Sequence, residues 1–409
     1  MHERIEEMTD TLGVYISVPF CRAKCTYCNF ASGVFGLERM DAYVDRLCAE
    51  IAGVRGRAAD TGMELPNLVD SVYLGGGTPS LLNAGQVTRL FAALQIEFDV
   101  DEGAELTLEC APGQLEPATL DAFLRAGINR VSLGVQSFVD VEARAVGRLH
   151  TRQVCMDEIA RLRGAGIEDI NVDLIAGLPG QTADSWRESV EVALATGVPH
   201  VSMYMLEVDE DSRLGREVLA AGVRYGATSV PNEDAVAEWY ASACEWLDGA
   251  CLRQYEISNF ARAGHRSRHN MKYWRREPYV GFGLDAHSML RSGVEAVRFA
   301  NASDLDAYIP SSEAISALPI LADPPELERV GKEGQFEEAL FLGLRMNEGV
   351  RLEGLRDEFG SEMVDAIREP LQEACEAGLI ECAGDCVRLT GRGRMASNEV
   401  FSRLLVVPA

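Results

Sequence analysis

One phrase recurs along the first half of this 409-residue chain: a short β-rich run, a turn, then a stretch with helical spacing. The β-rich runs are residues 13–20, 71–77, 105–112, 130–137, 169–179 and 200–208. Between them lie segments of helix-forming composition, among them residues 40–54, 83–94, 116–126 and 182–195. Alternation of this kind predicts parallel strands joined by right-handed crossovers. Six units are too few for a closed eight-unit barrel, so the expected fold is α/β, a partial (βα)6 TIM-like barrel open along one side. In such barrels chemistry sits where strands end and loops begin, and the unusual residues of this chain fall at those places.

At about 150 residues per domain, the length suggests two or three domains. Residues 1–230 hold the repeated phrase. Residues 231–325 break it with a helical stretch, a run rich in Arg, His and aromatics (254–280), and a linker-like segment with four prolines between 310 and 325. Residues 326–409 read as three amphipathic helices followed by a hairpin, GLIECAGDCVRLT, an order that suggests a winged-helix-like domain. Its net charge of −6 over residues 335–409 argues against DNA as a partner. The whole chain carries −26, which disfavours general binding to nucleic acid or anionic lipid. No apolar run approaches the ~18 residues of an integral membrane segment. The opening residues, MHERIEEMTD, lack the apolar stretch of a secretion signal, so a cytoplasmic location is expected. Thiols stay reduced there, and an odd total of 11 cysteines does not suggest a complete disulfide framework.

Three of those cysteines, Cys21, Cys25 and Cys28, form C-x3-C-x2-C directly after the first β-rich run. Three thiolates on one short loop can wrap one side of a [4Fe–4S] cube. The fourth iron then lacks a protein ligand and can chelate a small molecule. A structural zinc site is the alternative, but it wants a fourth Cys or His close by. Asn29, Phe30 and Ala31 cannot serve, which leaves only a distant histidine. The other eight cysteines, for example Cys110, Cys155 and Cys244, show no ligand spacing and are expected to be mostly buried small hydrophobes.

CRAKCTYC at the end of the first run, GGGTPS at residues 75–80 and the strand-end acid Glu109 together resemble radical S-adenosylmethionine enzymes. In that superfamily the open iron binds the amino and carboxylate groups of S-adenosylmethionine, and one-electron reduction yields a 5′-deoxyadenosyl radical. Glycines would let the backbone approach such a ligand and offer N–H groups to its aminocarboxylate. Further motifs, PFC, GVQSF, GRLH, DLIAGLPGQT, YEISNFA and RHNMKYW, resemble the group containing oxygen-independent coproporphyrinogen III oxidases and HemW-type heme chaperones. The likeness covers nearly the whole chain. It implies that Tyr15, Gly76, Gly77, Thr78, Glu109, Gln136, Arg148 and Asp173 contact S-adenosylmethionine. Tyr27 matches a position that touches a second S-adenosylmethionine in the oxidase.

Two departures speak against the oxidase: its motif continues as C-x-C where this chain has Phe30, and only 20 residues precede Cys21. HNxxYW, present as His269, Asn270, Tyr273 and Trp274, marks the chaperone group, where its His is associated with heme. An imidazole suits heme iron and the two aromatics suit a flat macrocycle. Some of Arg262, Arg266, Arg268, Lys272, Arg275 and Arg276 are expected to pair with the propionates, with a solvated face or an RNA contact as the competing readings of the run. A hydrogen-bonded structural His269, with His265 or His287 as the ligand, is the competing reading. The resemblance thus implies a heme chaperone with a [4Fe–4S] cluster, S-adenosylmethionine and heme, served by an electron donor and a heme-accepting protein. The rivals are a porphyrin-pathway radical enzyme, a related radical methyltransferase, or a structural iron–sulfur protein.

Overall fold

The computed structural model describes residues 11–292, 295–309 and 327–404. Six strands, β1 (Thr11–Val18), β2 (Leu68–Gly76), β3 (Asp99–Cys110), β4 (Arg130–Gln136), β5 (Asp169–Ala176) and β6 (His200–Met205), lie side by side in chain order. Each pairs in parallel with the next, as the alternating pattern predicts.

The helices between them start where local chemistry allows. Asn83 and Gln86 exchange side chain-to-backbone hydrogen bonds at 3.0 and 2.8 Å, a capping box that opens the Ala84–Glu97 helix. Thr182 and Ser185 do the same for Ala183–Thr196.

Strand alternation decides what faces where. Val14, Ile16, Val72, Leu74, Leu108, Val131, Leu133, Val135, Val172, Leu174, Val201 and Met203 belong to one buried apolar core. The opposite parity is polar: Tyr15, Tyr73, Glu109, Ser132, Asn171, Asp173, His200 and Ser202. Strand register aligns Glu109 with Ser132, Ser132 with Asn171 and Asn171 with His200. One level up, Gly134, Asp173 and Ser202 align. The concave face of the arc is therefore polar, where a closed barrel of this type is filled with branched apolar side chains.

The sheet does not stop at residue 230. Strands β7 (Arg253–Gln254) and β8 (Asn259–Ala261) extend it beyond β6, with β8 antiparallel to β6. On the other side, β9 (Tyr279–Phe282) runs parallel to β1, followed by β10 (His287–Ser292), β11 (Glu295–Ala300) and β12 (Glu328–Val330). The described sheet thus has 12 strands and two free edges. Its openness matches expectation, while its continuation through residues 253–300 was not visible in the periodicity. The proline-rich segment lies outside the described residues.

Helix Lys332–Arg345, five shorter helices and a three-stranded sheet of β13 (Val350–Arg351), β14 (Ile380–Ala383) and β15 (Cys386–Leu389) make the winged-helix-like unit, which has its own core. It is tied to the barrel through Arg345, whose Nε donates to the fully buried carboxylate of Glu256 at 2.7 Å. Arg276 and Arg291 both reach Glu358, at 3.1 and 2.7 Å.

Candidate radical S-adenosylmethionine site

The loop after β1 carries Cys21, Cys25 and Cys28, with Cys25 buried and the other two half-buried. Glycines at the end of β2 let this loop sit down on the sheet. A Cβ on Gly77 would meet Val18 O and the Pro19 carbonyl carbon at 2.7 Å, and Gly76 (φ 96°) would meet Ser17 Oγ at 2.7 Å. The N–H groups of Gly77 and Thr78 donate to Val18 O and Phe20 O at 3.0 and 2.9 Å. They clamp the start of the cysteine loop, which corrects the expectation that they face a bound aminocarboxylate. Lys24 holds the far side through the carbonyls of Phe30 and Ser32, both at 2.7 Å.

A cavity of about 400 Å³ opens beneath the loop. Its lining brings together the three cysteines, Tyr27, Gly76, Gly77, Thr78, Glu109, Gln136, Arg148 and Asp173. Tyr15 and His269 lie outside that lining. Tyr15 stacks on Tyr73 with centroids 6.2 Å apart and borders a second, neighbouring cavity.

Arg148 Nη1 reaches Cys25 Sγ at 3.4 Å and also donates to Gly134 O. Asp173 accepts from Asn171 at 2.7 Å and Ser132 at 3.2 Å, and burial raises its carboxyl above the usual range. Glu109 accepts from Tyr73 at 2.9 Å, and its carboxyl is pushed up to about 7 by burial first and by the Asp173 charge second. Burial likewise pushes the Cys21 thiol up, against the Thr78 and Ser32 hydroxyls that pull it down.

The donor set fits the cofactors that the motifs imply. Gln136 holds a left-handed backbone (φ 69°) at a register shift in β4. Strain of that kind at a non-glycine residue is retained where a site needs the side chain aimed. Its Oε1 is buried without a hydrogen-bond partner, as are Thr107 Oγ1 and Gln114 Oε1 in the same lining. The two amide oxygens can only accept, and the hydroxyl can donate or accept, so all three suit a polar ligand. Among the described residues no three His, Cys, Asp or Glu side chains gather as for one metal ion. A cube spreads three thiolates over three irons and does not ask for that spacing. Of the other eight cysteines, only Cys110 and Cys155 are buried, so the expectation of mostly buried thiols is corrected.

The HNxxYW segment forms the Arg268–Trp274 helix, which sets His269 in the interior beside Ser71 of β2. His269 is 1% exposed. Its Nδ1 is bonded to Ser71 Oγ at 3.0 Å and its Nε2 to Tyr273 Oη at 2.8 Å. Burial first and Lys272 second lower it to about 3, which keeps the ring neutral. Trp274 lies under Arg345 of the C-terminal unit at 4.2 Å, not against an open face.

The basic run is also largely spoken for. Lys272, 2% exposed, pairs with Asp70 at 2.9 Å and Glu277 at 3.2 Å. Arg276 pairs with Glu358, Arg266 with Glu348, and Arg268 donates to Gly103 O. Arg262 and Arg275 remain exposed. Residues that motif reading missed are Tyr73, Asn171, Ser132 and Ser202, all signalled by polar alternation on the strands, and Glu105.

Residues 15–193 match the family model of the radical SAM superfamily, and residues 332–396 that of the HemN C-terminal domain. The chain is 32% identical to the heme chaperone HemW of Lactococcus lactis over 96% of its length and 97% of the relative's. It is 32% identical to the heme chaperone HemW of Bacillus subtilis, over 96% and 98%. The solved structure of coproporphyrinogen III oxidase (HemN) from Escherichia coli shares the fold: TM-score 0.78 and 21% identity, covering 97% of this chain and 90% of that one. Among the described residues no helix is long and apolar enough to cross a membrane. With the cysteine loop, the polar arc and near-full-length identity pointing the same way, the chain belongs to the HemW family of the radical SAM superfamily.

Proposed function

We propose that the protein is a heme chaperone that carries a [4Fe–4S] cluster on Cys21, Cys25 and Cys28 and holds S-adenosylmethionine at the open iron. It binds heme and hands it to an acceptor protein. The observation that carries this reading is the convergence of the three thiols with Glu109, Gln136, Arg148 and Asp173 on one cavity, in a chain so similar to HemW relatives. When bound, such a cluster supplies the electron that cleaves the sulfonium.

The chain's own part is binding and orientation. Glu109 and Asp173 accept hydrogen bonds from an ammonium or ribose hydroxyls, Gln136 Oε1 accepts a further one, and Arg148 pairs with a carboxylate. Gly76 and Gly77 give the loop its close approach, Thr78 supports Cys21, and Tyr27 walls the cavity. Residues 1–230 are read as the cofactor-binding part, 231–325 as the accessory part that contributes HNxxYW, and 326–409 as a partner-contacting unit.

The test is anaerobic reconstitution followed by parallel hemin titration and coproporphyrinogen III assay. Saturable hemin binding without vinyl-group formation is expected, and vinyl formation would turn the assignment to the oxidase. Cys21→Ala, Cys25→Ala and Cys28→Ala should each lose cluster iron and its visible absorbance. Release of 5′-deoxyadenosine on reduction separates radical chemistry from a purely structural cluster.

A further inference from the structure

The segment that follows β6 turns back over the cysteine loop and holds it at three points. Leu214 N–H donates to Thr26 O at 2.7 Å, Arg213 Nη2 donates to Lys24 O, and Asn29 Nδ2 donates to Asp209 Oδ2. Lys24 and Thr26 flank Cys25, and Asn29 follows Cys28. Each contact therefore lies one residue from a thiol, although its partner is 180 or more positions away in the chain.

That segment is itself fixed. Ser212 Oγ donates to Asp209 O at 3.0 Å and accepts from Gly215 N at 2.9 Å, capping the Arg213–Leu219 helix. The Arg213 guanidinium lies over the ring of Tyr225, 5.4 Å from its centroid. Tyr225 keeps a left-handed backbone (φ 57°), which a non-glycine residue holds only where its surroundings impose it. Those surroundings reach the loop after β5. A Cβ on Gly226 would meet Pro179 Cβ at 2.8 Å, and Gly180 N donates to Ser229 O at 2.8 Å. Arg213 Nε is buried and has no hydrogen-bond partner among the described residues.

We infer that Arg213 is a positioning residue for the [4Fe–4S] cluster: it fixes the Lys24–Cys25 peptide and sets a permanent positive charge beside the loop thiolates. The inference rests on the cluster reading above and adds what tunes that cluster. A guanidinium stays charged at any working pH, and its planar fork can hold a carbonyl while Nε–H serves another acceptor. Adding an electron makes a cluster more negative, and a nearby cation stabilises that state. Charge and hydrogen bonding around the sulfurs set such potentials. Arg148 reaches Cys25 Sγ from within the cavity, whereas Arg213 acts through the backbone from outside its lining.

The experiment reconstitutes the full-length protein anaerobically and reads two quantities. One is the midpoint potential of the cluster, from a redox titration followed by electron paramagnetic resonance; the other is the rate of iron loss to a chelator. Arg213→Gln should lose iron faster and shift the reduction equilibrium about tenfold toward the oxidised cluster, about 59 mV lower. Arg213→Lys keeps the charge without the fork, so it should recover most of the potential while still losing iron faster. Tyr225→Asn removes the ring but tolerates the left-handed backbone, and should move both quantities the same way by less. It carries the comparison if Arg213→Gln retains no cluster. A wild-type potential in Arg213→Gln, or in Tyr225→Asn where that variant carries the comparison, would reduce Arg213 to a structural residue and overturn the inference. A wild-type protein that assembles no [4Fe–4S] cluster would instead overturn the cluster reading, and the inference with it.

Discussion

Glu109 is a buried acid with no cation among the groups that shift it, and that has a consequence for stability. Its folded value of about 7 lies above the unfolded value of about 4.3. A group raised on folding contributes stability that is complete below its unfolded value and lost as pH rises through its folded value. Glu109→Gln, which cannot ionise, should therefore gain melting temperature relative to wild type as pH rises from about 5 to about 8. A difference that stays flat with pH would refute this account. At this scale the sequence was a good guide to residue type and a poor one to exposure. Cys21, Glu109 and Asp173 stood out because their types are costly at strand ends. His269 looked like a metal ligand for the same reason. Only packing shows that Ser71 and Tyr273 already use both its nitrogens.

Between elements, the Arg268–Trp274 helix depends on a residue 163 positions away in the chain. Glu105 on β3 accepts from the N–H groups of Arg268 and His269 at 2.8 and 3.0 Å, and from Ser267 Oγ at 3.3 Å. A carboxylate at a helix N-terminus satisfies orphan donors and complements the helix dipole. Glu105→Ala leaves those buried donors bare and should cost about 1–3 kcal/mol in denaturant unfolding. Hydrogen exchange should speed up first across residues 268–274. The six long parallel strands and the capped helices between them were legible, because period-2 and period-3.6 patterns run long enough to register. Strands β7 and β8, at two and three residues, carry no such period. They exist because β6 offers an edge.

For the whole molecule, the junction between barrel and C-terminal unit is a set of polar contacts in which Arg345 holds the buried carboxylate. Arg345 Nε meets Glu256, Arg345 Nη2 reaches Ser258 Oγ at 3.2 Å, and Asn347 donates to Gln254 O at 2.7 Å. Removing one partner of a buried ion pair strands the other, at about 3–5 kcal/mol. Arg345→Ala should therefore lower stability by about 3 kcal/mol, somewhat softened by Ser258 N and Asn259, which also donate to Glu256. It should also make limited proteolysis release the C-terminal unit. A single unchanged cooperative transition would show that the junction depends on other contacts. The same junction consumes the charge of residues 266–276, because Glu348 and Glu358 of the C-terminal unit face Arg266 and Arg276. A basic run inside an acidic chain reads as a ligand patch until its counter-ions, over 80 residues away, come into place.

The sequence by itself determined the order and direction of the barrel strands, the cysteine loop and the polar parity of the arc. All three follow from local periodicity and spacing, which a chain carries with it. Tertiary structure alone decided that Gly77 and Thr78 clamp a loop and that His269 is sealed among its neighbours. It also decided that His287 and Phe30, 257 positions apart, line one cavity. Those outcomes depend on which distant groups meet across the sheet, and burial and hydrogen-bond partners exist only once they do.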